Sequence, residues 1–128
     1  MRIITLNVNG IRAAARKGFF EWLAKQQADF VCLQETRIQP HQRTDDIFFP
    51  TGYHVAYVDA QKPGYSGVSL FSKRQPDRTI EGLGWKDLDH EGRWVQVDYG
   101  RLSVVSLYLP SGTSKEERQL FKCDLMAR

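Results

Sequence analysis

Cysteine, histidine and long apolar runs are all scarce in this chain of 128 residues. Its two cysteines, Cys32 and Cys123, build no disulfide framework, and neither a zinc-site spacing nor a Cys-x-x-Cys pair occurs. Cys32 falls in an apolar stretch and reads as a buried thiol, so a reducing, cytoplasmic setting is expected. No apolar run is long enough to span a bilayer, and no membrane partner is expected. Met1-Arg2-Ile3-Ile4 already reads as a strand, so no signal peptide is expected either. Charge of one sign is not in large excess: the net charge of +3 tolerates a polyanionic partner without specifying one. What is present, 41% hydrophobic and 26% charged residues, suffices for one soluble domain with its own core.

Ile3 to Val8 reads as a first strand, broken by Asn9-Gly10. A helix follows, with Ile11, Ala15, Phe19, Trp22 and Leu23 at helical spacing and Arg12, Arg16, Lys17, Glu21 and Lys25 on the other face. Asn9 is placed to cap it. Asp29 to Leu33 forms the second strand, and strand–helix–strand predicts a parallel pair. A short helix is expected within 41–50, closing at Pro50-Thr51-Gly52. Five further strands are expected: His54 to Val58, Val68 to Ser72, Thr79 to Gly82, Arg93 to Tyr99 and Leu102 to Leu109. Loops rich in Gly, Pro and Asp favour antiparallel pairing among them. Asp98-Tyr99-Gly100-Arg101 reads as a hairpin turn. Thr113 or Ser114, with Glu116 and Glu117, begins a last helix that has no stop signal before Arg128.

Glu35 is the residue that packing explains least. It follows the apolar run Phe30-Val31-Cys32-Leu33, where a lone buried carboxylate would be costly. A hard cation such as Mg²⁺, which prefers oxygen donors, explains it well. Asn7 ends the first strand as Glu35 ends the second. Ligand sites in parallel α/β units gather beyond the carboxyl ends of strands, so the two should meet. For Asn7 an amide in a metal or phosphate site and a plain turn residue remain equally open.

Leu6-Asn7-Val8-Asn9-Gly10-Ile11-Arg12, Leu33-Gln34-Glu35-Thr36-Arg37, Gly64-Tyr65-Ser66-Gly67-Val68 and Glu91-Gly92-Arg93 together resemble the exonuclease III family of abasic-site endonucleases, within the exonuclease–endonuclease–phosphatase superfamily. The resemblance covers the whole chain, residues 1–128, as the N-terminal half of the family domain, truncated in its last helix. It implies an α/β fold, half of a four-layer α/β sandwich with one mixed β-sheet flanked by helices. It implies that Glu35 binds Mg²⁺ or Mn²⁺ with Asn7 near the metal, and that Tyr108 touches the scissile phosphate. Arg12 and Arg37 then lie near the DNA backbone, Tyr65 on a loop reaching into the groove, and Arg93 is a further nucleic-acid contact. Asn9 stands where some relatives carry an aspartate that can join the metal.

The implied reaction is incision of double-stranded DNA 5′ to abasic sites, with 3′–5′ exonuclease and 3′-repair phosphodiesterase activity on 3′-blocked ends. The resemblance places the remaining groups in an Asp-x-Asn motif and a late Asp–His pair. Neither stands here in a matching context: His41 and His54 lie elsewhere, and His90 sits in the acidic loop Asp87-Leu88-Asp89-His90-Glu91. An isolated half should be inactive, with a bare inner sheet face needing the C-terminal half or self-association to cover it. The competing reading is a non-catalytic regulatory or RNA-associated relative, against which a retained Glu35 argues.

Overall fold

Alternation along single strands decides which layer each side chain joins. In β2 (Phe30–Gln34) all of Phe30, Val31, Cys32 and Leu33 are buried, because both faces of the strand are covered. The structure, a computed structural model, describes residues 1–82, 84 and 89–109. β1 (Ile3–Asn7) runs parallel to β2, in register from Ile3 opposite Phe30 to Asn7 opposite Gln34. Two short helices, α1 (Ile11–Arg16) and α2 (Phe19–Ala24), connect them. β4 (Val68–Ser72) pairs antiparallel with β2 on one side and with β3 (His54–Val58) on the other. The mixed sheet has the order β1-β2-β4-β3. β5 (Arg78–Ile80), β6 (Trp94–Tyr99) and β7 (Leu102–Leu107) form a second, antiparallel sheet in that order.

Val31 and Leu33 point to the helix side, where they pack with Ile11, Phe19, Phe20, Leu23 and Phe71. Phe20 meets Phe48 edge-on at 6.0 Å and stacks on Phe71 at 6.5 Å. Each such buried side chain contributes about 1.5–3 kcal/mol. Phe30 and Cys32 point the other way, into a core shared with Val68, Leu70, Val95, Val97, Tyr99 and Val104. The mixed sheet with helices on one face is therefore present as expected, but the expectation of a bare inner face is corrected. β6 packs across β3 and β4, and β7 across β2 and β4. β1 lies beyond this cover, and Ile3, on the same face as Phe30, is 51% exposed.

Other differences have local causes. The single helix expected after Gly10 breaks at Lys17–Gly18, where Gly18 takes φ 93°. Trp22, expected on the apolar face, is exposed. Gly10, not Asn9, occupies the cap position of α1, with no side-chain cap, and Asn9 adopts φ 49°. Between Pro40 and Phe48 two 3₁₀ turns replace the expected helix, Pro40–Gln42 and Asp46–Phe48. The Asp45 side chain accepts the Ile47 N–H at 3.0 Å and starts the second of them. The strand expected over Thr79 to Gly82 is β5, one residue earlier and shorter. The hairpin turn at Gly100 forms as expected, with Tyr99 opposite Leu102. The helix expected after Thr113 and the cysteine Cys123 lie outside the described residues. No helix among the described residues is long and apolar enough to cross a membrane.

Candidate active site

Backbone hydrogen bonds join the sequence motifs into one surface. The first meets the second through Gly10 N–H to Glu35 O, 2.8 Å, and Ile11 N–H to Thr36 O, 2.9 Å. The second meets the third through Thr36 N–H to Gly67 O, 3.2 Å, and Arg37 N–H to Ser66 O, 2.9 Å. Gly67 N–H then donates to Gly92 O at 3.1 Å, and Tyr108 N–H to Arg93 O at 3.0 Å. Gly92 can take part only without a side chain: a Cβ there would fall 2.6 Å from Ala60 N and 2.9 Å from Val58 O. The tight course of these loops places non-glycine residues at positive φ: Asn9 49°, Glu35 55°, Arg37 52° and Ser66 50°. Such conformations cluster where surrounding structure over-determines them.

Glu35 is at the centre. Its Oε1 accepts the Tyr108 hydroxyl at 2.6 Å and the Asn7 amide at 3.0 Å, and its Oε2 accepts Arg37 at 2.9 Å. Asn7 is fixed in turn because its Oδ1 accepts the Asn9 N–H at 3.0 Å. The Tyr108 hydrogen bond, with Asn7 and the Arg37 charge behind it and burial opposing, holds the Glu35 carboxyl below its ordinary 4.5. Burial, then the hydrogen bond to Glu35 and its negative charge, push the Tyr108 phenol up from 10.0. The pair is therefore a carboxylate and a neutral phenol at neutral pH. The first is a hard anionic oxygen donor; the second spends its one hydroxyl hydrogen on that carboxylate, and could give it to another anion only by turning from Glu35.

Asn7, Glu35, Tyr108 and Arg37 are brought together. Arg12 is exposed on the neighbouring cleft, which Asn9, Gly10, Arg16, Arg37 and Gly64 also line. Tyr65 is half-buried, with its hydroxyl on Glu91 at 3.0 Å and Lys62 over its ring at 5.4 Å. Arg93 departs most from expectation. It is 1% exposed, and its guanidinium is held by Tyr65, Glu91 and the Tyr108 carbonyl, so it presents no surface to a nucleic acid in this structure. His41, His54 and His90 are exposed and away from these contacts.

Gln34 with Ser106, Glu91 and Arg16 were not legible in advance as contributors. Gln34 bridges Thr5 and Ser106, each at 3.2 Å, and Ser106 Oγ donates to Leu33 O at 3.0 Å, fixing β7 against the end of β2. Glu91, present in the Glu91-Gly92-Arg93 motif with no role of its own assigned, is the carboxylate on Tyr65 and Arg93. Arg16 on the arginine-lined cleft read simply as the polar face of a helix.

Fold and site define a class: an α/β sandwich carrying a clasped carboxylate on the loops beyond its parallel strand ends, next to a basic cleft. Residues 4–127 match the Endonuclease/Exonuclease/phosphatase family, and the chain belongs to it. It is similar to the exodeoxyribonuclease of Bacillus subtilis, 40% identical over 119 residues that make up 92% of this chain and 46% of that protein. It is also similar to the DNA-(apurinic or apyrimidinic site) endonuclease of Dictyostelium discoideum, 32% identical over 94% of this chain and 33% of that protein. It superposes on an AP endonuclease from Archaeoglobus fulgidus with a TM-score of 0.82 at 27% identity, over 99% of this chain and 49% of that one. The chain spans less than half the length of each.

Proposed function

We propose that this chain supplies half of the active site of a Mg²⁺- or Mn²⁺-dependent DNA-repair nuclease acting on abasic and 3′-blocked DNA. The observation that carries the reading is Glu35, clasped by Tyr108 and Asn7 and opening beside a cleft lined by Arg12, Arg16 and Arg37. The donor chemistry fits a hard divalent cation: an ionised carboxylate with an amide beside it, all oxygen on the acceptor side. Among the described residues no trio of His, Cys, Asp and Glu could hold a metal. Glu35 would therefore hold the ion through one carboxylate, with Asn7 orienting that carboxylate. A bound divalent ion supplies charge stabilisation and an acidic water to phosphodiester hydrolysis.

The chain's own residues divide the remaining work. Tyr108 offers its hydroxyl to a phosphate oxygen near Glu35. Arg37 neutralises Glu35 until another cation arrives, and Arg12 and Arg16 meet phosphates along the cleft, where arginine binds in a fork. Among the described residues none is placed as a base for water or an acid for the leaving oxygen, so the isolated chain is expected not to turn over. Ile3 of β1, on the Phe30 face of the mixed sheet and exposed beyond the small sheet, is where further chain or a second copy would dock. Burial raises the Cys32 thiol to about 11, which suits a structural thiol in a reducing, cytoplasmic setting.

The test has two parts. Mn²⁺ should broaden the NMR signals of Asn7 and Tyr108 in the unaltered chain and not in Glu35→Gln. A labelled duplex with one abasic analogue should bind, without Mg²⁺-dependent incision. Turnover by the pure chain would overturn the half-site, and absence of both broadening and DNA binding would overturn the nuclease reading.

A further inference from the structure

Arg93 is a full charge in the interior, and a buried charge is retained only where its partners hold it well. Its ion pair with Glu91 is long, 3.4 Å, while its short contact is with a neutral group, the Tyr65 hydroxyl at 2.7 Å. Charge-assisted N–H···O bonds ordinarily fall near 2.7–2.9 Å. The guanidinium is therefore placed by more than its counter-ion. Its centre lies 5.1 Å from the Tyr108 ring and 5.7 Å from the Tyr65 ring, within the range of cation–π attraction to both. Tyr108 is gripped three ways: its N–H donates to Arg93 O at 3.0 Å, its carbonyl accepts from the guanidinium at 3.3 Å, and its ring meets the cation. The far end of Tyr108 bonds Glu35 at 2.6 Å.

We propose that Arg93 is a positioning residue that ties the Tyr65 loop to Tyr108 and through it to Glu35, so that occupancy of the loop by nucleic acid is felt at the carboxylate. The nucleic-acid part rests on the function proposed above; the tie itself does not. Glu91 completes the device by accepting from both Arg93 and Tyr65, which fixes the guanidinium between the rings. Lysine cannot replace it, because a single ammonium lacks the planar fork that reaches a hydroxyl and a carbonyl together.

The experiment is NMR of the chain labelled with ¹³Cζ-tyrosine, its signals assigned with single Tyr→Phe variants. Tyr65→Phe removes one hydroxyl on the surface side and should shift the Tyr108 signal. In an Arg93→Lys background, the same change should leave Tyr108 unmoved. A Tyr108 signal indifferent to Tyr65→Phe in the otherwise unaltered chain overturns the tie, as does a shift that persists in Arg93→Lys. If Arg93→Lys does not fold, Tyr65→Phe alone decides. Adding an abasic-analogue duplex should shift both Tyr65 and Tyr108 in the unaltered chain, and should shift Tyr108 less in Arg93→Lys, where only its own phosphate contact remains. No shift at Tyr65 with DNA overturns the loop as a DNA contact, and the first comparison still decides the tie.

Discussion

Replacing Tyr108 with Phe removes one hydroxyl and keeps the ring that packs on Arg93. The lost contact is a 2.6 Å bond to an ionised carboxylate. Hydrogen bonds to charged groups contribute about 1.5–3 kcal/mol net. The Glu35 side chain is 16% exposed, so water replaces part of the bond, and the expected loss is near the lower end, about 1.5 kcal/mol. That is roughly tenfold in the folded-to-unfolded ratio. The sign of the pH dependence follows from the shift. Glu35 is held below 4.5, so its contribution is full above that value and is lost as pH falls through its lower folded value. Tyr108→Phe raises the Glu35 pKa, and the two proteins should differ most near neutrality and converge in acid. Tyr108 itself, pushed up from 10.0, contributes fully below that pH and loses its contribution as pH rises through its higher folded value, so the comparison belongs well under 10.0. Urea unfolding across acid and neutral pH measures the difference, with Glu35→Gln completing a double-mutant cycle. An equal loss at every pH, or one that persists undiminished in Glu35→Gln, would refute the assignment.

Gly92→Ala should destabilise by about 3 kcal/mol or prevent folding, since the new Cβ meets backbone atoms 2.6 Å and 2.7 Å away at φ +59°; thermal unfolding checks it. Phe71→Ala should cost about 3–5 kcal/mol in urea, because the ring is fully buried, stacked on Phe20, tilted against Tyr53 and edge-on to Tyr57. Arg12→Ala should weaken duplex binding and reduce the slope of log affinity against log salt by about 1, read by fluorescence anisotropy.

Much of the fold was legible because burial is written in strand alternation. Phe30 to Leu33 is apolar on both faces, and both faces proved covered. The small sheet over one of those faces was not foreseen, because strands that pair in sequence order carry no mark of which sheet they join. Asn7 and Glu35 could be placed together from strand ends alone. Arg93 could not: an arginine after a glycine, at the start of an expected strand, reads as a surface contact. Its burial arises from two tyrosines distant in sequence, Tyr65 and Tyr108. The helix break at Gly18 was visible as a glycine but hidden by apolar spacing that continues through Phe19 and Leu23.

The positive-φ residues around the carboxylate have a consequence for how such a sequence drifts. A left-handed conformation costs a non-glycine residue about 1–2 kcal/mol. Asn9, Glu35, Arg37 and Ser66 all bear it at one site. One base change converts a glutamate codon to glycine, so relief at Glu35 is a single step away. The same step would remove the acceptor of Tyr108, Asn7 and Arg37, so the relief of backbone strain is offset by lost hydrogen bonds. The clasp and the left-handed backbone are therefore kept together: position 35 gains little from glycine while its three donors stay in place.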